Sequence, residues 1–304
     1  MSRQVLAVDI GATKIALATV NEEFCISHKV EIYVHEHENL WEAVREATLQ
    51  ITMGIGEEIL GVGIGSAGPL HLGIGSISPV NIKQWRTFPI VDSFEELLGL
   101  STVVLHGDAM ALAHAEHRLG AGRGVSHLLG MVVSTGIGGG LILNGRVFTG
   151  QSGNASFIGH HTINFDGIKC ACGRHGCVES YASGPRMVAI AEGRGWKSDS
   201  RSFIELAADA RSGSDIAIEV IDEGARALAI GITNALTTLD IRTVVLGGGV
   251  AQAGEVYWKP LREHVVNEAR FTDFLADIQV KPAELERDSG LIGAALGVFD
   301  EWSN

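Results

Sequence analysis

The side chains best suited to chemistry are a knot of thiols and imidazoles. Three of the four cysteines in a chain of 304 residues crowd into "CACGRHGC", from Cys170 to Cys177, shortly after the "GHH" that carries His160 and His161. One odd-numbered cluster does not make a disulfide framework, and it points to a reducing compartment. A C-x-C-x4-C spacing on a glycine-containing loop instead lets Cys170, Cys172 and Cys177 converge on one ion. His160, ten residues before Cys170, supplies a fourth ligand. The set reads as a tetrahedral Cys3His zinc site rather than as inert or redox thiols. Four protein ligands leave no open coordination position, so the Zn2+ would pin a loop and not activate water.

Two glycine-rich segments offer a different chemistry. "DIGATK", Asp9 to Lys14, and "STGIGGG", Ser134 to Gly140, combine backbone that can approach an anion closely (Gly11, Gly136, Gly138) with donors from Thr13, Lys14, Ser134 and Thr135. Neither has the spacing of a Walker loop or of a dinucleotide fingerprint. A third segment, "LGGGV", brings Gly248 and Gly249. Three such loops predict a nucleotide held between two halves of the molecule. Asp108, in "HGDAMALA", falls between a strand and a helix. It either caps the helix or serves as a general base that takes the proton of an alcohol attacking a γ-phosphoryl group. Asp9 is placed to orient a hydrated Mg2+ on the nucleotide, although a turn alone also favours Asp.

The elements that must position these residues alternate. Apolar runs predict strands at Gln4 to Val8, Ile15 to Val20, Leu60 to Ile64 and Thr102 to Leu105, with helices at Leu40 to Met53 and Ala109 to Leu119. Leu128 to Val133 then runs into "STGIGGG", Leu141 to Leu143 returns, and a helix from about Ala217 to Leu239 precedes a strand at Thr243 to Leu246. This is an α/β pattern in which strand, glycine turn and return strand open each half, and ligands in such folds gather at strand ends. The expected division is an N-terminal lobe over residues 1–117 and a C-terminal lobe with the zinc loop over 118–289. A last helix at about 290–304 packs back on the first lobe. Cys25, alone beside a strand, reads as a core residue.

Composition narrows the partners. A net charge of −13 with no Lys/Arg run disfavours nucleic acid and anionic membrane surfaces, and leaves a small molecule. The uncharged stretches Ile59 to Ile82 and Val125 to Gly145 each carry six glycines, so they read as buried strands and tight turns rather than membrane spans. The N-terminus enters a strand at once, which implies no signal peptide and a cytoplasmic protein.

Together, "VDIGATK", "SAGPL", "STGIGGG", "CACGRHGCVESYASG" and "VVLGGGV" resemble the ROK family of bacterial sugar kinases and sugar-responsive repressors over the whole chain. The resemblance implies a two-lobed actin/hexokinase-like, ribonuclease H-like fold and commonly a homodimer. It implies that ATP phosphates bind at Asp9, Gly11, Thr13, Lys14, Ser134, Thr135, Gly136 and Gly138, with Gly248 and Gly249 near the adenosine. Asp108 becomes the catalytic base. Gly68, Asn81, His160 and Glu179 fall at sugar-binding positions, and zinc would hold His160 and Glu179 against the sugar. Two residues depart from the family pattern. Gly107 stands where the family has Asn before the Asp, and Phe157 replaces a Glu three residues before the zinc-binding His. The machinery for phosphoryl transfer is intact while the sugar end has changed. That favours a kinase for a hexose or aminosugar, N-acetylmannosamine first, with glucose or another hexose as the alternative. A non-catalytic sugar-binding protein is a weaker reading. A repressor would need a helix-turn-helix module of about 60 residues ahead of the first strand, for which this chain has no room.

Overall fold

The computed structural model describes residues 3–55, 58–271 and 273–303. The chain opens with strand β1 (Arg3–Ile10), and the return strand β2 (Lys14–Asn21) pairs antiparallel with it, Ile10 opposite Ile15. Strand β3 (Ile26–Tyr33) forms the outer edge, and helix α1 (Leu40–Gly54) follows, its first turn capped by Asn39 accepting from the Glu42 N–H. Strand β4 (Glu58–Ser66) lies parallel to β1, and a small hairpin of β5 (Leu70–His71) and β6 (Ser76–Ile77) comes next. Helix α2 (Ile90–Leu98), strand β7 (Val103–Gly107) and helix α3 (Asp108–Leu119) complete this part.

The second sheet repeats the plan. Strands β8 (Leu128–Val133), β9 (Ile137–Leu143) and β10 (Arg146–Phe148) form an antiparallel run. After the cysteine loop come α4 (Glu179–Ala182), α5 (Gly184–Gly193), α6 (Phe203–Arg211) and the long α7 (Asp215–Leu239). Strand β11 (Thr243–Gly247), α8 (Glu255–Ala269), β12 (Gln279–Pro282) and α9 (Ser289–Trp302) end the chain. The sheets run β3-β2-β1-β4-β7 and β10-β9-β8-β11-β12, the same order of three antiparallel strands followed by two parallel ones. The internal duplication that sequence identity between the halves is too weak to show is therefore plain in the topology.

Alternating side chains of β1 explain why its apolar run is continuous. Leu6, Val8 and Ile10 join a core with Leu40, Val44 and Phe94 of α1 and α2, whereas Val5 and Ala7 face Leu291, Ala294 and Val298 of α9. Both faces are covered, as a buried central strand requires. The last helix lies so close on β4 that a Cβ added to Gly63 would stand 2.0 Å from the Ala294 carbonyl oxygen. Helix α3 is Ala-rich for a related reason. Ala113 packs with Leu128, Ile142 and Val245 of the second sheet, and Ala115 with Ile292 and Leu296 of α9. Small side chains let one helix serve both neighbours.

Two local expectations are corrected, and two edge strands join that the sequence pattern did not mark. Helix α3 begins at Asp108 rather than after it, with Gly107 as N-cap, so Asp108 is not the cap. The edge strands β3 and β12, whose residues are largely exposed, lack the apolar signal that marks the central strands. Cys25 is exposed, not core. It follows Phe24, which takes a positive φ of 61° in the β2–β3 turn and turns its ring onto Phe299, 5.9 Å away, leaving the next side chain facing out. Among the described residues no helix is long and apolar enough to cross a membrane.

Candidate functional site

Asp108 stands at the end of β7, in the first turn of α3, where its carboxylate accepts the Ala109 N–H at 2.7 Å. Burial raises its pKa, and that hydrogen bond opposes the rise. Across the sheet, at the end of β1, the Asp9 carboxyl is pushed up to about 7 by burial and then by the negative charge of Asp108, with Lys14 and Lys29 pulling the other way. The two carboxyls thus share one electrostatic environment. The second glycine loop lies beside them: a Cβ on Gly138 would be 3.6 Å from Asp108 Oδ1.

The first loop is a tight turn closed by the Gly11 N–H donating to the Lys14 carbonyl at 2.9 Å. Thr13 is exposed, and Lys14 Nζ reaches Glu31 Oε1 of β3 at 2.7 Å. In the second loop the Ser134 N–H bonds the Gly136 carbonyl at 2.9 Å, with Thr135 at the tip between β8 and β9. The third loop folds back onto it. A Cβ on Gly249 would lie 3.6 Å from Ser134 Oγ, and one on Gly248 would strike the Val133 carbonyl. Glu179, first residue of α4, joins from the cysteine loop by accepting the Ile137 N–H at 2.9 Å. Asp9, Asp108, Glu179 and the glycines of three loops therefore stand at the ends of β1, β7, β8 and β11.

The thiol cluster satisfies a metal's geometry. His160, Cys170, Cys172 and Cys177 offer ligand atoms that all lie within 4.8 Å of one another. The edge of a tetrahedron with Zn–S bonds of about 2.3 Å is about 3.8 Å. His160 Nδ1 stands 3.6 Å from Cys170 Sγ, and Cys172 Sγ stands 3.7 Å from Cys177 Sγ. Those separations fit a shared ion and are too long for a disulfide. The loop has no strand or long helix of its own and is tied by isolated bridges (Thr162 to Cys177, Lys169 to His175), by turn bonds such as Cys170 N–H to the Arg174 carbonyl and Gly176 N–H to the Ile168 carbonyl, each 2.8 Å, and by the Tyr181 hydroxyl accepting the Ile168 N–H.

Phe157 lies 43% exposed beside this centre, its ring 5.4 Å from that of His160. It also covers Gly68, where an added Cβ would come within 3.1 Å of the ring. Asn81 stands exposed on the loop after β6, which Arg86 organises by donating to the carbonyls of Pro79, Val80 and Ile82. Gly107 has ordinary φ and ψ of −68° and 148°, and an added Cβ would find Met110 no nearer than 3.7 Å. Its backbone does not demand glycine. Sequence reasoning missed Glu116. This fully buried carboxylate accepts the N–H groups of Ala121, Glu284 and Leu285 at 2.9, 3.1 and 2.8 Å, tying the end of α3 to the segment before α9. A lone acid within the Ala-rich run was its signal.

A two-sheet α/β fold of the actin/hexokinase kind, with glycine loops facing paired carboxyls, defines the class. Within it, the chain belongs to the ROK family, whose model matches residues 5–300. It is 34% identical to the N-acetylmannosamine kinase of Citrobacter koseri over 96% of this chain and 97% of that one. The ROK hexokinase of Thermus thermophilus superposes with a TM-score of 0.85 at 35% identity, covering 99% of both chains. A ROK glucokinase of Streptomyces griseus, solved with glucose and AMPPNP, superposes with a TM-score of 0.80 at 31% identity over 96% of this chain and 98% of that one.

Proposed function

We propose that the protein is an ATP-dependent sugar kinase that phosphorylates the 6-hydroxyl of N-acetylmannosamine. The observation that carries the kinase reading is the position of Asp108, a carboxylate at the start of α3 facing Asp9 and the Gly138 loop. In the reaction the sugar O6–H gives its proton to the Asp108 carboxylate as O6 bonds the γ-phosphorus. The bond from γ-phosphorus to the β,γ-bridging oxygen breaks and ADP departs with that electron pair. Gly11, Thr13, Lys14, Ser134, Thr135, Gly136 and Gly138 hold the phosphates, and Gly248 and Gly249 border the adenosine. Mg2+, oriented through Asp9, would neutralise charge on the transferring group. Gly68, Asn81, Phe157, His160 and Glu179 surround the sugar, and Zn2+ on His160 and the three cysteines fixes the loop that bears two of them. The lobes, residues 1–117 with the terminal helix and 118–289, close to exclude water.

Phe157 supports the choice of sugar. A phenyl ring cannot pair with hydroxyls, yet it packs a methyl such as that of a 2-acetamido group, a gain of roughly 1 kcal/mol. Similarity to the S. griseus glucokinase supports a second reading, with glucose as substrate. A coupled ADP-release assay over glucose, mannose and their N-acetylated amines decides between them: fastest kcat/KM on glucose overturns the first. The same proposal takes the protein as a cytoplasmic homodimer, which sedimentation at micromolar concentration tests.

A further inference from the structure

Between β10 and the metal ligand His160 the chain passes along the outside of the β5–β6 hairpin and touches it in sequence. Gly153 sits against Leu72, so that an added Cβ would be 2.5 Å from Leu72 Cγ. Asn154 meets Leu70, and Phe157 covers Gly68. The middle contact is the polar one. Asn154 Oδ1 accepts the Leu70 N–H at 2.9 Å, and Asn154 Nδ2 donates to the Leu70 carbonyl at 2.8 Å. The same Nδ2 also donates to the Ser152 carbonyl and hydroxyl, each at 3.2 Å. A peptide N–H only donates and a peptide carbonyl only accepts, so the amide's orientation is fixed by its partners. Asn154 thereby acts as a neighbouring strand would, satisfying both backbone groups of the otherwise buried Leu70.

The ladder continues on the far side. Leu70 pairs with Ile77, the Ser78 N–H donates to the Pro69 carbonyl at 2.9 Å, and Ile77 exchanges backbone bonds with Phe88. The loop bearing Asn81 springs from Ser78 and returns at Thr87, whose N–H bonds Ser78 Oγ. One amide thus joins the segment after β10, which bears Phe157, to the hairpin after β4, which roots Asn81.

We propose that Asn154 is a positioning residue for the sugar: it clamps the two segments so that Phe157 and Asn81 stand at a fixed separation on either side of the ring. The inference rests on the kinase reading above and not on which hexose is used. Losing two backbone partners frees Leu70 and lets both walls drift, which weakens sugar binding while leaving the phosphate loops in place.

The test is steady-state kinetics of the full-length, zinc-loaded protein with Asn154→Ala and Asn154→Asp, using whichever sugar the wild type turns over best. Asn154→Ala is expected to raise the KM for sugar roughly five- to twentyfold with the KM for ATP within about twofold of wild type and the zinc content unchanged. Asn154→Asp keeps the acceptor for the Leu70 N–H but has no donor for its carbonyl, so it does not restore the sugar KM. An unchanged sugar KM in Asn154→Ala overturns the proposal. So does a parallel loss of sugar and ATP affinity with zinc release, which marks a merely structural tie, or a wild-type KM in Asn154→Asp. A wild type that prefers glucose overturns the N-acetylmannosamine reading alone, because the comparison is then made with glucose. A wild type that phosphorylates no sugar overturns both.

Discussion

The ring of Phe157 lies 5.4 Å from that of His160 at an interplanar angle of 32°, while His160 Nδ1 points at Cys170 Sγ 3.6 Å away. One imidazole thus faces the thiol cluster with a nitrogen and the Phe157 ring with its face. In the zinc site proposed above, losing the metal would free His160, and with it the surface against which Phe157 rests.

Cys172→Ser is accordingly expected to lose the metal and most sugar affinity while ATP affinity changes little, since the phosphate loops lie on other elements. Elemental analysis with sugar titration calorimetry checks this. A metal-free protein of full activity would refute the zinc assignment.

Asp108→Asn keeps the side chain's shape and removes the proposed base. The loss should appear in kcat, on the order of 10^2- to 10^4-fold, with sugar and nucleotide binding largely retained. Equal kcat in variant and wild type would reduce Asp108 to a first-turn carboxylate on the helix.

The raised carboxyl of Asp9 gives a pH dependence. Its value of about 7 in the free protein lies above the ordinary 3.8, so at pH 6 the group is mostly protonated and cannot orient Mg2+. kcat/KM for ATP should fall below pH 7, and Asp9→Asn should lack that acid limb. Stability of the ligand-free protein moves the opposite way. The folded state holds an extra proton between about pH 4 and pH 7, so this group's contribution is fully present below the unfolded value and is lost as pH rises through the folded one. Denaturant melts at pH 5 and 8 on wild type and Asp9→Asn isolate it: equal pH dependence in the two proteins would remove Asp9 as the cause.

Sugar preference should follow two positions. Phe157→Glu is expected to shift the kcat/KM ratio toward glucose by about tenfold, as an acceptor facing the bound sugar favours substrates whose hydroxyls satisfy it. Gly107→Asn should fold normally, given the ordinary backbone and open space at Gly107, and should lower KM for the preferred sugar. Ratios unmoved by Phe157→Glu would leave the substituted Glu irrelevant to selectivity.

Glu116→Ala leaves three backbone N–H groups without their acceptor beneath α3 and α9, a destabilisation on the order of 3 kcal/mol. Urea unfolding measures it, and a loss below about 1 kcal/mol would mean that water replaces the carboxylate.

What the sequence determined by itself is whatever local pattern encodes. The continuous apolar runs of β1, β4, β8 and β11 mark strands buried on both faces, the glycine loops mark sites of close backbone approach, and Cys170, Cys172 and Cys177 reveal their convergence through spacing alone. Asp108 was legible because a carboxylate at a strand-to-helix junction is a local feature. Tertiary structure decided the rest. Edge strands β3 and β12 depend on their neighbours for pairing, so their composition carries little signal, and Cys25 turned outward because Phe24 took the buried side of its turn. The coupling of Asp9 to Asp108 exists only because β1 and β7 flank β4, and its effect on pKa comes from burial that no residue type encodes. Glu116 and Asn154 find their partners 168 and 84 residues away in the chain, through backbone groups that every residue possesses. Nothing in the identity of Glu284 or Leu70 announces such a contact, since the donors and acceptors involved are peptide atoms that only the completed fold leaves in need of a partner.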